Sequence, residues 1–442
     1  MSGAHRYTFR SDAGAGVTRR IAADADVARI VLPAATSTGG SDLATPEVFG
    51  EIADAGRFRA VSLQWRMLVS RCAEPNPFME PAVAEATAVA TGMTPHVLLA
   101  WKRAGAGAPE LVGAWLLAEN RPSSRLPVRV LACPINALTF LGTPVLDRTC
   151  MVEALAAMLD LVAASAHLPK VLCASDIAAD GIVLPALRQA LARLGTRPVE
   201  IERRARAKLD LSAEPSAAVD PAISRKHRSE LRRRRRKLME HGTLAHVSHR
   251  TPAEVGAALQ EFLRLEATGW KGQSSQGGRA VLKAAPLAAF ATRMIEGLAG
   301  DGCAGIDALR LDGRPIAMNV WLRSGSGVFG WKMAYDEAYR RWSPGTLLLD
   351  DLVQSFAQDA TIRFIDSCNR TDATSLAHSW SGRQIVVDLI IDVRRGGSWH
   401  GRWVAATEYA YRQAKTYGRE IYHAARRRRR PVRTANAAGH GD

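Results

Sequence analysis

A basic Ser-Pro-Gly turn stands where a strand-like run of residues meets a helical run. The turn contains Arg340, Arg341, Ser343 and Gly345, and the helical run begins with Thr346 and Leu347. The first turn of a helix leaves backbone N–H groups without intrahelical partners, and the helix dipole makes that end positive. Proline suits the first helical position, and glycine lets a ligand approach the backbone. The turn therefore predicts a cradle for a diphosphate group, although a capped helix start with solvated arginines is consistent with the same residues.

Aromatic and basic residues lie together at two other places. Trp331, Lys332 and Tyr335 follow one another along the strand-like run and its exit. Trp270 and Lys271, flanked by two glycines, end a helical run. We interpret these five residues as candidates to bind a second, anionic substrate. A helix cap with a core tryptophan and a surface lysine are the alternatives.

The net charge of +16 comes from 59 basic and 43 acidic residues and is concentrated in two runs. Arg225–Lys237 has nine Lys/Arg and one Glu, and Arg426–Arg430 is entirely arginine. The first run has helix-forming composition with one apolar face. Both runs are candidates to meet an anionic membrane surface. The aromatic residues of a single-strand nucleic-acid platform are missing from them, so specific nucleic-acid recognition is not expected outside a tRNA partner.

The elements that must position these residues occur in the same order in two halves of the chain. Each half reads as two helices, three antiparallel strands, a helix, a strand and a late strand. In the second half the helices are Pro252–Glu266, Pro286–Leu298 and Thr346–Gln358, and the strands are Ala304–Leu311, Ile316–Arg323, Val328–Ala334, Arg363–Ser367 and Gln384–Val393. The recurrence predicts an internal duplication and an α+β fold.

The domain organisation predicted from this pattern has four parts. Residues 1–57 are expected to be poorly structured, 58–210 to form the first unit, 211–425 the second unit with a basic linker helix over 221–241, and 426–442 a disordered Arg-rich tail. No leader peptide or spanning helix is expected. The six scattered cysteines lack metal-ligand spacing, so no metal is expected and a reducing, cytoplasmic compartment is favoured.

Four segments, taken in order, are more specific than any one of them. They are the basic run 225–237, the Gly-Trp-Lys-Gly element ending at Gly272, the strand Gly330–Asp336 and the turn Arg341–Gly345. Together they resemble GNAT N-acyltransferases. Within that superfamily they resemble the tandem branch named for association with bacterial cellulose biosynthesis (CelD/BcsL-like), which is related to the FemABX-type transferases. The resemblance implies two tandem GNAT-like units, each a mixed, mostly antiparallel central sheet flanked by helices.

The resemblance also implies a reaction and roles for residues. The donor would be acetyl-CoA or another acyl-CoA, with its diphosphate on the amides of Gly345–Leu347 beside Arg340 and Arg341. The thioester would lie along the strand that contains Met333. Asp366 or Asp336 would take the proton of the acceptor amine, and burial would raise the pKa of either carboxyl group. The acceptor would be a small molecule or a glycan precursor of the cell envelope.

Two alternatives to this function stay open at the level of sequence. In the first, the chain is a FemABX-like transferase that uses aminoacyl-tRNA, and the basic helix contacts tRNA. In the second, it is a noncatalytic accessory protein of an envelope polysaccharide system. Asp366 itself has the alternative of capping a helix or pairing with an arginine.

Overall fold

The structure is a computed structural model that describes residues 47–103, 105, 107–124, 126–212, 225–273, 280–369, 380 and 382–428. The elements of the first half are β1 (Glu47–Ala53), α1 (Ala55–Ala60), α2 (Ser62–Ser70), α3 (Pro81–Ala90), β2 (Pro95–Arg103), β3 (Glu110–Asn120), β4 (Val130–Cys133), β5 (Val145–Leu146), α4 (Met151–Ala164), β6 (Val171–Ala178), α5 (Val183–Ala192) and β7 (Val199–Asp210).

The second half has a similar order, with two helices instead of three before its first hairpin, no described counterpart of β5 or α5, and an added helix at each end. Its elements are α6 (Arg225–Met239), β8 (Leu244–His249), α7 (Pro252–Thr268), α8 (Ala285–Gly300), β9 (Ala304–Leu311), β10 (Arg314–Ser324), β11 (Gly327–Tyr335), α9 (Pro344–Ala357), β12 (Phe364–Asp366), β13 (Arg383–Asp392) and α10 (Trp399–Arg428). Short 3-10 helices occupy Pro77–Met79, Trp270–Gly272, Val281–Lys283 and Glu337–Trp342.

Local sequence signals explain where several of these elements begin and end. Thr251 and Glu254 form a reciprocal capping box at the start of α7, so two otherwise unpaired N–H groups are satisfied. Asp312 and Gly313 both have positive φ, as a tight hairpin turn between β9 and β10 requires. Pro344 stands at the first position of α9, where its missing N–H has no cost.

The strands of both halves join edge to edge into one sheet. Its order among the described residues is β1-β2-β3-β4-β6-β13-β7-β12-β11-β10-β9-β8, with β5 paired to β3. Neighbouring strands are antiparallel except for β4 with β6 and β11 with β12. Strand β13 comes from the second half of the sequence, yet it lies between β6 and β7 of the first half. The halves are therefore interlocked by an exchanged strand, which the sequence pattern did not predict.

The predicted fold class is confirmed, with corrections at both ends of the described chain. Residues 47–57 were expected to be poorly structured, but β1 pairs along its whole length with β2 and α1 follows it. Residues 426–428 were assigned to a disordered tail, but they form the last turn of α10. Residues 1–46 and 429–442 lie outside the described residues. The sequence analysis missed β1, β8 and α10, because two of them are short edge strands and α10 is strongly polar at its end.

The two halves share one hydrophobic core. The largest cluster of buried side chains includes Trp65 and Trp115 from the first half and Phe262 and Phe290 from the second. A second cluster packs α6 and α9 against the sheet of the second half, with Leu231 and Leu238 of α6 buried in it. The predicted linker helix is thus a packed element, and its apolar face is covered by the protein. None of the described helices is both long and apolar enough to cross a membrane.

Candidate active site

Strands β11 and β12 run parallel for a short distance and then separate. The paired residues are Gly327–Phe329 and Phe364–Asp366. Beyond them β11 continues to Tyr335, whereas β12 ends and the chain leaves the sheet. A Cβ atom at Gly330 would lie 3.2 Å from the carbonyl oxygen of Ser367, so glycine keeps the mouth of the gap free. We call this gap the β11–β12 cleft.

One residue is inserted in β11 at the mouth of the cleft. Lys332 pairs with Val320 of β10, but Gly330 pairs with the adjacent Trp321, so Trp331 is the extra residue of a β-bulge. A bulge interrupts the regular ladder and re-aims side chains. Both side chains contact α7: Trp331 packs against Phe262, and Lys332 donates to Glu266.

The cleft opens into a cavity of about 240 Å³ between the sheet and α9. Its walls are mostly apolar. Its polar side chains come from β10, from β11, and from the end of β12 with the loop that follows it. The lining residues are Asn319, Trp321, Val328, Gly330, Trp331, Lys332, Met333, Leu349, Leu352, Val353, Phe356, Ile365, Asp366, Ser367, Asn369 and Trp380. A concave, largely apolar cavity with a few convergent polar groups is the usual form of a small-molecule site.

The corresponding gap in the first half is filled by the protein's own chain. Strands β4 and β6 are also parallel over a few residues and then separate. Gly142 lies in this gap, where its N–H donates to the Ser175 carbonyl at 2.8 Å and a Cβ atom would lie 2.8 Å from the Cys133 carbonyl. Asn76 holds the filling segment by donating to the carbonyls of Leu141 and Thr143. The open cleft of the second half is therefore the candidate site.

The start of α9 differs from the predicted cradle. The N–H groups of Thr346 and Leu347 both donate to the Ser343 carbonyl, at 2.9 and 3.2 Å. These two amides are therefore used inside the helix, and the prediction that they bind a diphosphate is wrong. Gly345 lies against Met333, whose Sδ would be 2.7 Å from a Cβ atom at position 345. Gly345 is itself buried, so the start of α9 packs closely against β11.

A basic hollow of about 340 Å³ lies between α6 and the turn that precedes α9. It is lined by Arg233, Arg234, Lys237, His241, Arg341 and Trp342. The Arg341 guanidinium lies 3.8 Å from the Trp342 ring centroid, and the rings of His241 and Trp342 are 4.7 Å apart. Arg234 donates to the Ser343 hydroxyl and so ties α6 to the start of α9. Arg340, also predicted to hold the donor, is exposed and does not line the hollow.

Asp366 lines the cavity and is paired with a buried arginine. Its Oδ2 accepts a 2.6 Å hydrogen bond from Arg206 of β7, and its Oδ1 accepts the backbone N–H of Cys368 at 2.9 Å. Both side chains are nearly inaccessible to solvent. The alternative that Asp366 pairs with an arginine is therefore correct, and the arginine comes from the last strand of the first half. Burial raises the pKa of the neighbouring Cys368 thiol, which is unsuited to act as a nucleophile.

Asp336, the other predicted base, lies outside the cavity. Its side chain accepts the backbone N–H of Ala338 at 3.0 Å and so caps the 3-10 helix that follows β11. Its second oxygen accepts a hydrogen bond from Arg314 at 2.9 Å. The structure assigns Asp336 to the support of the turn and corrects the prediction that it could receive a proton at the cleft.

Lys271 and Lys332 meet at a buried carboxylate on the α7 side of β11. Glu266 lies 3.1 Å from Lys332 and 3.6 Å from Lys271, and Lys271 also donates to the Met333 carbonyl at 2.7 Å. Burial opposes the charge of Glu266, but the two lysines more than offset it and hold its pKa below the ordinary value. Burial and then repulsion from Lys332 lower the pKa of Lys271. The two lysines are thus fixed in place by Glu266 and are not freely solvated.

The three aromatic candidates have different surroundings. Trp331 is buried against Phe262 and donates its indole N–H to the Leu138 carbonyl of the first half at 2.8 Å. Trp270 donates its backbone N–H to Glu337 at 2.6 Å and does not line the cavity. Tyr335 packs against the second hydrophobic cluster, beside the start of α9. Of the three residues, Trp331 lines the cavity, whereas Trp270 and Tyr335 do not.

Sequence reasoning missed several residues that define the site. Asn319, Ser367 and Asn369 supply polar atoms to the cavity, and Arg206 holds Asp366. The signal for Asn319 was present, because a polar residue interrupts an otherwise apolar strand. No local sequence pattern pointed to Arg206, because its partner Asp366 is 160 positions away in the chain.

Comparison with known proteins places the site in a recognisable domain. Residues 225–372 match the family model described as an acetyltransferase (GNAT) domain, and this range contains the cleft and the basic hollow. The solved structure of FemX superposes with a TM-score of 0.51 at 13% identity, covering 75% of this chain and 96% of FemX. A tandem GNAT protein from the clavulanic acid biosynthesis pathway gives 0.40 at 17% identity, covering 78% and 99%. L-PGS from Bacillus licheniformis gives 0.40 at 13%, covering 66% and 83%.

No curated protein matches the chain. The FemX likeness shows the fold over the 75% of this chain that it covers. The match of residues 225–372 to an acetyltransferase domain supports the assignment of the protein as an acyltransferase.

Proposed function

We propose that this acyltransferase takes an acyl group from a coenzyme A thioester and transfers it to an amine in the β11–β12 cleft. The observation that carries the proposal is the open cleft along α9, with the basic hollow beside the turn that precedes the same helix. Such an arrangement suits a long donor with phosphates at one end and an apolar arm at the other. The acceptor class proposed is a small-molecule amine or an amine of a glycan precursor.

The phosphate end of the donor would occupy the basic hollow. Four cationic side chains line it, and its wall carries an exposed Arg341 stacked on Trp342. Guanidinium groups bind phosphates through paired N–H donors, and the positive end of the α9 dipole adds to the attraction. The flat faces of Trp342 and His241 would offer stacking contacts to an adenine ring.

The acyl end of the donor would lie along β11. From Pro344 to Val353 the axis of α9 rises about 13 Å at 1.5 Å per residue, so an extended arm can follow the helix from the hollow to the cavity. Leu349, Leu352, Val353 and Phe356 offer this arm an apolar wall. Because β12 has left the sheet beyond Gly330, backbone groups of β11 at the bulge face the cleft and can donate to a thioester oxygen.

The amine would attack the thioester carbonyl from the side of Asp366 and Ser367. A C–N bond forms, the C–S bond breaks, and the thiolate of coenzyme A leaves. The attacking nitrogen must release a proton, and Asp366 is the carboxylate in the cavity wall that can receive it directly or through water. Arg206 is then a positioning residue, since it holds Asp366 without lining the cavity itself.

An aminoacyl-tRNA donor is the second candidate, and the surface of α6 favours it. Arg228, Arg232, Arg233 and Arg236 are all exposed on this helix. A row of arginines beside a phosphate-sized hollow would suit a polynucleotide as well as a single nucleotide. The noncatalytic alternative raised by the sequence has the same fold, and it would be favoured if the protein bound neither coenzyme A nor tRNA.

Calorimetric titration with coenzyme A, dephospho-coenzyme A and tRNA separates these donors. We expect wild type to bind coenzyme A, and Gly345→Asp to abolish binding, because it places a carboxylate against Met333, on the strand along which the donor arm is proposed to lie. An acidic residue at a helix start does not weaken the helix, and Met333 is flexible enough to make room, so the fold should persist. Gly345→Asn is the matched neutral control and should retain most of the affinity.

A second set of variants removes positive charge from the basic hollow. Arg233→Gln/Lys237→Gln should weaken coenzyme A, whereas Arg129→Gln, an exposed arginine of the first half, should have no effect. Equal binding of coenzyme A by all variants would remove the hollow from the proposal. If the protein did not bind coenzyme A but bound tRNA with an affinity that falls steeply with salt, the donor would be an aminoacyl-tRNA.

A further inference from the structure

Helix α10 is held firmly on the sheet by one of its faces. Val404 and Glu408 are buried on that face. Glu408 accepts the backbone N–H of Ser124 at 2.6 Å, and Arg412 pairs with Asp388 and Glu202 of the neighbouring strands. The orientation of the helix about its axis is therefore fixed, and so is the identity of the face that points outward.

The outward face of α10 is apolar and aromatic. Its large side chains are well exposed: Trp399 is 73% exposed, Trp403 41%, Tyr409 51%, Tyr417 67% and Ile421 55%. Ala406, Ala410 and Ala414 are exposed between them. The positions recur every three or four residues, and from Trp399 to Ile421 the stripe is about 33 Å long. A water-facing helix normally carries polar residues on this side, so a continuous apolar stripe indicates a contact surface.

Positive charge surrounds this stripe. Arg395 and Arg402 are exposed near its beginning. Between Trp399 and Arg430 the sequence has nine Lys/Arg and two Glu. Arg412 and Glu408 belong to the buried face, which leaves eight basic residues and one acidic residue. Five of the basic residues form the run Arg426–Arg430, of which the first three are the last residues of α10. The partner of this face must therefore offer an apolar layer beneath a negatively charged one.

We propose that the outward face of α10 binds the surface of an anionic lipid bilayer. Helices that lie in the plane of a membrane combine an apolar stripe with flanking lysine and arginine, and their tryptophan and tyrosine rings lie at the level of the headgroups. The aromatic residues of α10 would enter the headgroup region, and its arginines would contact lipid phosphates. The enzyme would then be a peripheral protein that works next to a membrane.

The basic helix α6 does not share this property. Its buried residues Leu231 and Leu238 face the core, and Arg235 pairs with Asp351 at 2.5 Å. Its remaining surface is cationic, without exposed aromatic residues among its described side chains. The membrane contact expected for the run 225–237 is therefore assigned to α10, while the proposed contact through Arg426–Arg430 is kept and extended along the helix.

Co-sedimentation of the full chain with lipid vesicles tests the proposal. The vesicles contain phosphatidylcholine alone or phosphatidylcholine with phosphatidylglycerol. We expect binding to the anionic vesicles only, weakened by raising salt, and a loss of about tenfold or more in Trp399→Ser/Trp403→Ser. The matched control is Leu63→Ser/Met67→Ser, which removes two exposed apolar side chains from α2 and should bind as wild type does.

Tryptophan fluorescence shows whether the residues of α10 are the ones that contact the lipid. Trp399→Phe/Trp403→Phe keeps the apolar stripe, so it should still bind, but quenching of tryptophan emission by brominated lipid should be lost. Failure of wild type to bind anionic vesicles would overturn the proposal, as would equal loss in the α2 control. If light scattering showed a dimer of wild type that Trp399→Ser/Trp403→Ser converts to a monomer, with no vesicle binding, the stripe would be an interface between two copies.

Discussion

The contact between the two halves contains a carboxyl group that should make stability depend on pH. Glu80 begins α3 of the first half, is almost fully buried, and lies 3.4 Å from the Ser324 hydroxyl at the end of β10. Burial raises its pKa from the ordinary 4.5 to about 8, and the hydrogen bond from Ser324 only partly opposes this. We predict that Glu80→Gln becomes more stable than wild type as the pH rises.

The magnitude follows from the proton that the folded state retains. Between the two pKa values the folded protein holds this proton and the unfolded chain has lost it, so stability falls as pH rises. The slope from this group is about 1.4 kcal/mol for each pH unit, or roughly 3 kcal/mol between about pH 5.5 and 7.5. Above a pH of about 8 the folded protein also loses the proton, and the dependence levels off.

Urea unfolding of wild type and Glu80→Gln over this pH range measures the effect. The contributions of the other titrating groups cancel when the free energies of unfolding of the two proteins are subtracted. The remaining difference should grow by about 1.4 kcal/mol for each pH unit. Glu85→Gln, an exposed carboxylate on the same helix, is the control and should show no comparable growth. Parallel pH profiles for wild type and Glu80→Gln would refute the reasoning, since they would mean that Glu80 is already ionised in the folded protein.

Three further substitutions test the supports of the cleft. Arg206→Met leaves Asp366 buried without its partner and should cost about 3–5 kcal/mol of stability in urea unfolding, while the added change Asp366→Leu should recover part of it; independent, additive losses would contradict the pairing. Trp331→Phe deletes the bond to Leu138 and should cost about 1–3 kcal/mol, and an unchanged unfolding midpoint would disprove that contact. Gly272→Ala should lower the melting temperature and the activity together, because its Cβ would lie 1.7 Å from a backbone carbonyl oxygen; a variant as stable and active as wild type would refute this steric argument.

Much of the secondary structure could be predicted from the sequence, because the signals are local. Apolar periodicity predicted the helices α7, α8 and α9 and the strands β9, β10 and β11. The strand exchange could not be predicted. The position of β13 between β6 and β7 depends on which edges are free when both halves have folded, and no local pattern records that.

The candidate site was predicted in its location but not in its details. The strand β11 and the start of α9 were identified correctly, and Asp366 lines the cavity as expected. The backbone N–H groups of Thr346 and Leu347 were predicted to bind a diphosphate, but they donate to the Ser343 carbonyl. Whether such groups are free depends on how tightly the first turn of the helix is wound. The bulge at Trp331 was not predicted, because a one-residue insertion in a ladder leaves no trace in composition.

What the sequence determined by itself is most of the helices and strands and the concentration of positive charge in two runs. Tertiary structure alone decided which of the two equivalent gaps stays open: Gly142 fills one, while the other, at Gly330, leads into a cavity. It also decided that α10 turns its aromatic stripe away from the protein. The physical reason is the same in each case. Periodicity reports which residues prefer burial, but only the packing of segments far apart in the chain decides which surfaces find a partner.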